Sequence, residues 1–333
     1  MRNRPRRCKA GGLPSGAWQG PTPCMIVDMH THAGRASGTG APWTATPEVL
    51  ATMGPAGIDA AVVAAIPDAP VIRRNAATRR IEQFRDPRPG ECWEATCAHL
   101  DAIASTGPRL ALEPADIRPG DPAVVLAVEG CDGLEGGLDR LDALAARGVR
   151  SMQFVHYRVN ETGDIQTAPP VHGGLTAFGV DVVRRMNALG IIPDVAHCTE
   201  DTALGVCAAS TRPVLCSHAN LQDDSGHPRF ISIDYARRVA ETGGVVGGWI
   251  AVLWDDPWNS FIDHILRLVD AVGVAHVGIG TDMPAGVAEK VMPDFRTHAG
   301  IPAALAARGL APDEIAAICG GNWLRLFQAT RAA

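Results

Sequence analysis

The 333-residue chain carries 30 basic and 36 acidic residues, which gives a formal net charge of −6 and a pI near 6.0. These charges are interspersed rather than blocked, so the sequence lacks the basic surface that nucleic acids or anionic membranes require. No apolar run approaches the roughly 20 residues needed to span a bilayer, and we predict no membrane partner. The nine cysteines are odd in number, scattered and without CxxC spacing, which is typical of a reducing compartment and predicts a cytoplasmic location.

Residues 1–24 differ in composition from the rest of the chain. This segment is basic at its start, then rich in Gly and Pro, and it lacks the apolar stretch of a secretory signal. We predict that residues 1–24 form a flexible tail and that residues 25–333 form one domain.

From Met25 onward, eight short apolar runs alternate with longer segments that carry apolar residues at helical spacing. Runs that are apolar throughout indicate strands covered on both faces. The runs are residues 25–32, 60–67, 123–130, 149–156, 191–197, 213–219, 243–251 and 276–282. Eight strand–helix units predict a TIM (β/α)8 barrel, which ordinarily needs about 250 residues plus insertions. A doubly wound sheet is the alternative, but no GxGxxG motif follows the first run.

Metal-binding residue types stand at the ends of most of these runs. The first run ends in His30 and His32, whose two-residue spacing points both imidazoles to one face of a strand. The residues that end later runs are Glu129, His156, His197, His218 and Asp282. Because the active site of a barrel lies at the carboxyl ends of its strands, this placement predicts convergence on a metal centre. The other histidines are predicted to be structural.

Histidine nitrogens and carboxylate oxygens suit zinc, and one glutamate can offer an oxygen to each of two ions. Glu129 is therefore the predicted bridge. Two zinc ions about 3.5 to 4 Å apart would hold a hydroxide nucleophile at neutral pH. Asp282 is predicted to accept the proton of that hydroxide and to deliver it to a leaving amine; a helix N-cap is the alternative role for Asp282.

Six short motifs follow one another along the chain in a specific order. They are HxH at 30–32, VEG at 128–130, DVAH at 194–197, CSHAN at 216–220, IGTD at 279–282 and GGNWLRLF at 320–327. Together they resemble the membrane (renal) dipeptidase family of the amidohydrolase superfamily. The resemblance implies one zinc on His30, His32 and Glu129 and a second on Glu129, His197 and His218. It also implies that His156 polarises the scissile carbonyl and that Arg229 pairs with the terminal carboxylate of the substrate. A surface arginine next to Pro228 is the alternative.

The first motif departs from the family pattern, which has HxD where this chain has His32. A neutral ligand in place of an anionic one leaves the metal pair more positive. The resemblance implies a zinc-dependent dipeptidase whose only partner is a small-molecule substrate; the sequence leaves a homodimer open. A hydrolase of another amide, such as a lactam or an N-acyl amino acid, is the alternative. A metal-dependent decarboxylase is the third possibility, and the bridging Glu129 counts against it.

The insertion after the second run is rich in arginine. Its arginines are Arg73, Arg74, Arg79, Arg80, Arg85 and Arg88. We expect either a lid that attracts anionic substrates or a solvated helix whose arginines pair with Glu82 and Asp86.

Overall fold

Eight parallel strands pair in chain order to form the barrel that the sequence predicts. The computed structural model describes residues 24–32, 47–78, 80–251, 255–283 and 291–331. The barrel strands are β1 (Val27–Thr31), β2 (Ala60–Ala65), β6 (Ala123–Val128), β7 (Val149–Gln153), β8 (Ile192–Asp194), β9 (Leu215–Ala219), β10 (Val245–Gly248) and β11 (Val277–Ile279). The predicted TIM barrel is confirmed. Apart from Cys24, the tail predicted over residues 1–24 lies outside the described residues.

The first and last strands meet just beyond their carboxyl ends. The backbone N–H of His32 donates to the carbonyl of Met283 at 2.7 Å, and that of Asp282 donates to the carbonyl of His30 at 2.9 Å. Thr31 and Met283 form a parallel bridge. The closure therefore holds the HxH motif directly beside Asp282.

Helices surround the barrel. They are α1 (Pro47–Leu50), α2 (Met53–Ala56), α3 (Glu91–Thr106), α4 (Leu138–Ala146), α5 (Ala177–Leu189), α6 (Glu200–Ala209), α7 (Ile233–Glu241), α8 (Pro257–Val272), α9 (Ile301–Ala306), α10 (Pro312–Ala316) and α11 (Asn322–Arg331). Hydroxyl caps begin three of them, because Thr176, Thr199 and Ser232 each accept a hydrogen bond from a backbone N–H in the first turn. None of the described helices is both long and apolar enough to cross a bilayer.

The strands are buried on both faces, as their continuous apolar character predicts. All residues of β2 and β6 are buried. Close packing also requires a glycine in the IGTD motif, because a Cβ added at Gly280 would lie 1.8 Å from the carbonyl oxygen of Ser217. Only glycine lets the backbone before Asp282 come this close to β9.

The arginine-rich insertion forms an antiparallel hairpin of β3 (Ile72–Arg74) and β4 (Ile81–Gln83), so the expected solvated helix is wrong. Glu82 accepts hydrogen bonds from Asn75 and Thr78, while Arg85 and Arg88 pair with Glu91. These residues pair across two strands, so the spacing of a helix does not apply to them. The lid stays a prediction. A further short strand, β5 (Arg109–Leu110), pairs with β6.

Candidate metal centre

The structure brings together every predicted metal-ligating side chain. These are His30, His32, Glu129, His197, His218 and Asp282, and His156 joins them. All seven residues lie at or near the carboxyl ends of barrel strands. His30 stands inside β1 and His218 inside β9, and the five others follow their strands by one to three residues. The structure therefore places these side chains together at one end of the barrel, and their role as metal ligands stays a prediction.

Glu129 lies at the centre of the cluster. Its Oε1 is 3.0 Å from Nε2 of His197, 3.4 Å from that of His30 and 3.7 Å from that of His218. Its Oε2 is 3.2 Å from Nε2 of His32 and 3.5 Å from that of His156. Each oxygen therefore faces its own set of imidazoles, which is the arrangement that a bridging carboxylate needs.

Asp282 faces the other side of the HxH pair. Its Oδ1 lies 3.0 Å from Nε2 of His32 and 3.8 Å from Nε2 of His30. Three groups of residues each bring their ligand atoms within 4.8 Å of one another. The groups are His30, His32 and Asp282; His30, Glu129 and His218; and Glu129, His156 and His197. The cluster thus offers overlapping ligand sets rather than one isolated triad.

Several atoms of the cluster lack the partners that buried polar atoms ordinarily have. Among the described residues, His30 Nε2, Glu129 Oε2 and His197 Nδ1 are buried and form no hydrogen bond. The Nε2 atoms of His197 and His218 lie 3.0 Å apart, a contact between two like atoms that needs a shared proton or a cation. Since unpaired buried groups are costly and the donors are nitrogen and carboxylate oxygen, the residues fit a metal such as zinc.

The electrostatics of the cluster favour metal-binding protonation states. Burial tends to raise the pKa of Glu129, but the surrounding imidazoles, foremost His156 and His30, hold it well below its usual range. Burial, assisted by the positive charge of Arg229, holds the pKa of His197 well below its usual value. An ionised carboxylate and a neutral imidazole are the forms that coordinate metals.

His32 is the exception. Burial tends to lower its pKa, but the nearby Glu129 and Asp282 carboxylates outweigh burial and raise it to about 10. Without a metal, the proton on His32 therefore balances the two acidic groups. Binding of a metal at this position would displace that proton.

Neighbouring groups orient the ligands. Nδ1 of His30 lies 3.2 Å from Gln153 Nε2, Nδ1 of His218 lies 3.0 Å from Ser217 Oγ, and Nδ1 of His32 lies 3.3 Å from the carbonyl of Ala64. Each contact directs the other ring nitrogen towards Glu129, as orienting partners do in metal sites. Gln153 and Ser217 were not predicted as site residues, although a polar residue within an otherwise apolar strand is a usable signal.

His156 is held by a buried carboxylate. Its Nδ1 lies 2.8 Å from Oδ1 of Asp68, and Oδ2 of Asp68 accepts the backbone N–H of Tyr157 at 3.1 Å. Burial tends to lower the pKa of His156, while Asp68 and Glu129 raise it above its usual value. Asp68 was not predicted either, although it stands three residues beyond β2 and so shares the placement of the other site residues.

The residue before Asp282 is held by the buried carboxylate of Asp28. Asp28 accepts hydrogen bonds from the backbone and hydroxyl of Thr281 at 3.1 and 2.5 Å, and its Oδ2 lies 2.9 Å from Nε2 of His298. Asp282 has a left-handed backbone with φ of 58°, which is uncommon for a residue other than glycine. The N-cap alternative depends on residues 284–290, which lie outside the described residues.

Arg229 is buried, with 2% of its surface exposed, so the alternative of a surface arginine is wrong. Its Nη1 donates to Oε1 of Gln166 at 2.8 Å, and its Cζ lies 5.5 Å from the centre of the Trp249 ring. Within the described part of the chain, its Nε and Nη2 have no hydrogen-bond partner. A buried cation with two unpaired donors is suited to an anionic group.

Known proteins similar to this chain share its fold and parts of its sequence. An uncharacterised dipeptidase of Schizosaccharomyces pombe is 31% identical over 215 residues, which cover 62% of this chain and 53% of the relative. Dipeptidase tcpJ of Claviceps purpurea is 27% identical over 226 residues, covering 63% and 52%. The chain thus spans about half the length of these curated relatives.

Among solved structures, a metallopeptidase from Rhodobacter sphaeroides, liganded with a phosphinate mimic of the dipeptide L-Ala-D-Ala, has the same fold. Its TM-score is 0.75 at 21% identity, over 92% of this chain and 99% of the other. Residues 110–333 match the family described as membrane dipeptidase, peptidase family M19, a range that includes Glu129 and the later site residues but not the HxH pair. By this match over about two thirds of its length, the chain belongs to the membrane dipeptidase family M19.

Proposed function

We propose that the chain is a metal-dependent dipeptidase that hydrolyses the amide bond of small dipeptides with two zinc ions in the cluster. The observation that carries the proposal is the buried Arg229, with two unpaired donors, beside a buried cluster of metal-ligand types. A dipeptide has a carboxylate at a fixed distance from its one amide bond. The mimic bound in the Rhodobacter neighbour supports this substrate class.

Glu129 would bridge the two ions. His30, His32 and Asp282 would complete one ligand set, and His197 and His218 the other. Zinc bound there would lower the pKa of a water molecule to about 7 and polarise the scissile carbonyl. Membership of a metallopeptidase family and the unpaired ligand atoms support a metal in this cluster.

Asp282 is the proposed proton carrier. Its side chain is 18% exposed, whereas that of Glu129 is 1% exposed, so Asp282 has access to water and substrate while Glu129 is enclosed. A carboxylate oxygen of Asp282 accepts a proton from the attacking water and delivers it to the nitrogen of the leaving amine. The Nε2 group of His156 donates a hydrogen bond to the carbonyl oxygen of the scissile amide, and Asp68 holds the ring in place.

A hydrolase of another amide, such as an N-acyl amino acid or a lactam, is the second candidate, and His32 is the observation that favours it. The family carries an aspartate at that position, and its absence removes one negative charge that would face a substrate ammonium group. An N-acyl amino acid keeps the carboxylate for Arg229 but carries no ammonium group.

The test compares L-Ala-D-Ala and other free dipeptides with their C-terminal amides and with N-acetylated alanine. Because Arg229 pairs with a carboxylate, we expect kcat/KM for a free dipeptide to exceed that of its amide by roughly 10- to 100-fold, the range expected for hydrogen bonds to charged groups. Arg229→Lys should lose activity on the free acid and discriminate less, because lysine cannot form two parallel hydrogen bonds.

Arg237→Lys, at an exposed arginine of α7, is the matched control and should behave like the wild type. Equal hydrolysis of free and amidated dipeptides would contradict the dipeptidase proposal. Faster hydrolysis of N-acetylated alanine than of any dipeptide would favour the second candidate. Metal analysis of the active protein should find two zinc ions per chain, and a single ion would remove the bridging role of Glu129.

A further inference from the structure

We propose that Gln166 is a specificity-determining positioning residue, which sets both the distance of Arg229 from the metal cluster and the edge that the guanidinium presents to the substrate. This inference rests on the proposed dipeptidase function. Gln166 is half-buried and lies on the loop between β7 and α5. It bonds to a metal-ligating residue through its backbone and to Arg229 through its side chain.

The backbone bond ties Gln166 to the cluster. Its N–H donates to the carbonyl of His197 at 2.9 Å, and the adjacent Ile165 forms a bridge with Cys198. His197 has a left-handed backbone with φ of 69°. The loop and the ligand segment therefore run side by side, and a shift of either one moves the other.

The loop that carries Gln166 is organised by the buried carboxylate of Asp164. Oδ1 of Asp164 accepts the backbone N–H groups of Val171 and His172 at 2.7 and 3.0 Å, and Oδ2 accepts that of Gly174 at 3.0 Å. These charge-assisted bonds close the loop on itself. Gln166 is thus presented from a loop with internal bonding, as a positioning residue requires.

The side chain of Gln166 selects which donors of Arg229 stay available. Its Oε1 accepts from Nη1 at 2.8 Å, which leaves Nε and Nη2 without a partner among the described residues. Nε and Nη2 share one edge of the planar guanidinium, and that edge forms two parallel bonds to a carboxylate. Cζ of Arg229 also lies over the ring of Trp249, 5.5 Å from its centre. The unpaired Nε and Nη2 edge is therefore the one that the substrate carboxylate would meet.

The side-chain amide of Gln166 suits this role because it is neutral. A carbonyl oxygen satisfies one donor of Arg229 and leaves its positive charge uncompensated for the substrate. A glutamate at position 166 has nearly the same shape but would pair with the guanidinium as an anion and compete with the substrate carboxylate. Gln166→Glu therefore isolates the electrostatic part of the role, and Gln166→Met, similar in size, removes the acceptor alone.

The experiment measures kcat and KM of the holoenzyme for L-Ala-D-Ala, or for the panel dipeptide that the wild type cleaves fastest, and for its C-terminal amide. In Gln166→Glu, kcat/KM for the free acid should fall by about tenfold or more, mainly through KM, while the amide is little affected, since hydrogen bonds to charged groups are at stake. Gln166→Met should show a smaller loss in the same direction. Gln222→Glu, at an exposed glutamine on the loop after β9, is the charge-matched control.

If Gln166→Glu prefers the free acid over its amide by the same ratio of kcat/KM as the wild type, the inference is overturned and the proposed function stays intact. An equal loss on both substrates would also overturn it, because general damage to the site does not distinguish acid from amide. A wild type that cleaves no dipeptide overturns the proposed function and this inference with it.

Discussion

Replacement of Glu129 by glutamine should release both metal ions while leaving the barrel folded. The substitution keeps the shape of the side chain and removes its negative charge. Glu129 lies within 3.0 to 3.7 Å of the Nε2 atoms of His30, His197 and His218 through one oxygen, and it approaches His32 and His156 through the other. Within the described part of the chain, Glu129 is the one carboxylate that lies within 4.0 Å of both the HxH pair and the pair His197 and His218.

The magnitude follows from Coulomb attraction. A pair of unit charges at about 4 Å is worth roughly 4 kcal/mol at an effective dielectric constant near 20. Loss of the Glu129 charge should therefore weaken binding of each divalent ion by about three orders of magnitude or more. The second ligand set suffers most, since His197 and His218 are neutral donors and Glu129 is its one acidic member.

The assay is the metal content of the protein after dialysis against a zinc buffer, measured by mass spectrometry. Circular dichroism and thermal unfolding establish that the variant is folded. Glu241→Gln, which removes an exposed carboxylate that contacts Arg238 at 2.7 Å, is the control and should retain both ions, since surface ion pairs contribute little. Two tightly held ions in a folded Glu129→Gln variant would refute the bridging role.

Three further perturbations test other parts of the site and of the fold. Asp282→Asn leaves His30, His32 and Glu129 to hold the first ion, so it should keep its metal and lose roughly 10²- to 10⁴-fold in kcat, as removal of a general acid–base group does; near-normal turnover would reduce Asp282 to a structural role. Asp68→Asn should lower kcat by about 10- to 100-fold through His156, the range for residues that orient an active-site ligand, with metal content unchanged; loss of metal would instead place Asp68 in support of the cluster. Burial, with Arg267 nearby, lowers the pKa of His264 from 6.5 to about 4. Because the unfolded state then binds the proton more readily, stability should decline as pH falls from 6.5 towards 4. The melting temperature of His264→Gln should fall less over that interval, and parallel curves would contradict the assignment.

The sequence predicted the barrel because eight largely apolar runs alternate with segments of helical spacing. The eight runs match the eight barrel strands, and β2 and β6 are buried on both faces as a run without alternation requires. The site was predictable for a related reason: a polar residue at the end of an apolar run has few roles, and a barrel brings all such ends together. Backbone detail was not predictable: the sequence gives no sign of the left-handed conformation of His197, three residues beyond β8.

The orienting contacts escaped prediction because they join residues far apart in the sequence. Asp68 and His156 are separated by 88 residues, and Gln153 and His30 by 123. No periodicity links such pairs, and each member alone has a plausible local role. The hairpin of β3 and β4 was not predicted for a similar reason. Charged residues at mixed spacing give no signal for cross-strand pairing, and the contacts of Glu82 with Asn75 and Thr78 form only once the turn has formed.

The charge balance of the site links His32 to substrate choice. Among the proposed metal ligands, Glu129 and Asp282 supply the two carboxylates that would face two divalent ions, because His32 contributes no negative charge when it binds a metal. This excess of positive charge favours the carboxylate of the substrate and the negative charge that develops on the amide oxygen during hydrolysis. It also opposes a substrate ammonium group more strongly than a site with the aspartate of the family would. His32 should therefore shift preference towards substrates whose amino group is blocked or distant, and the rates for N-acetylated alanine and free dipeptides measure that shift directly.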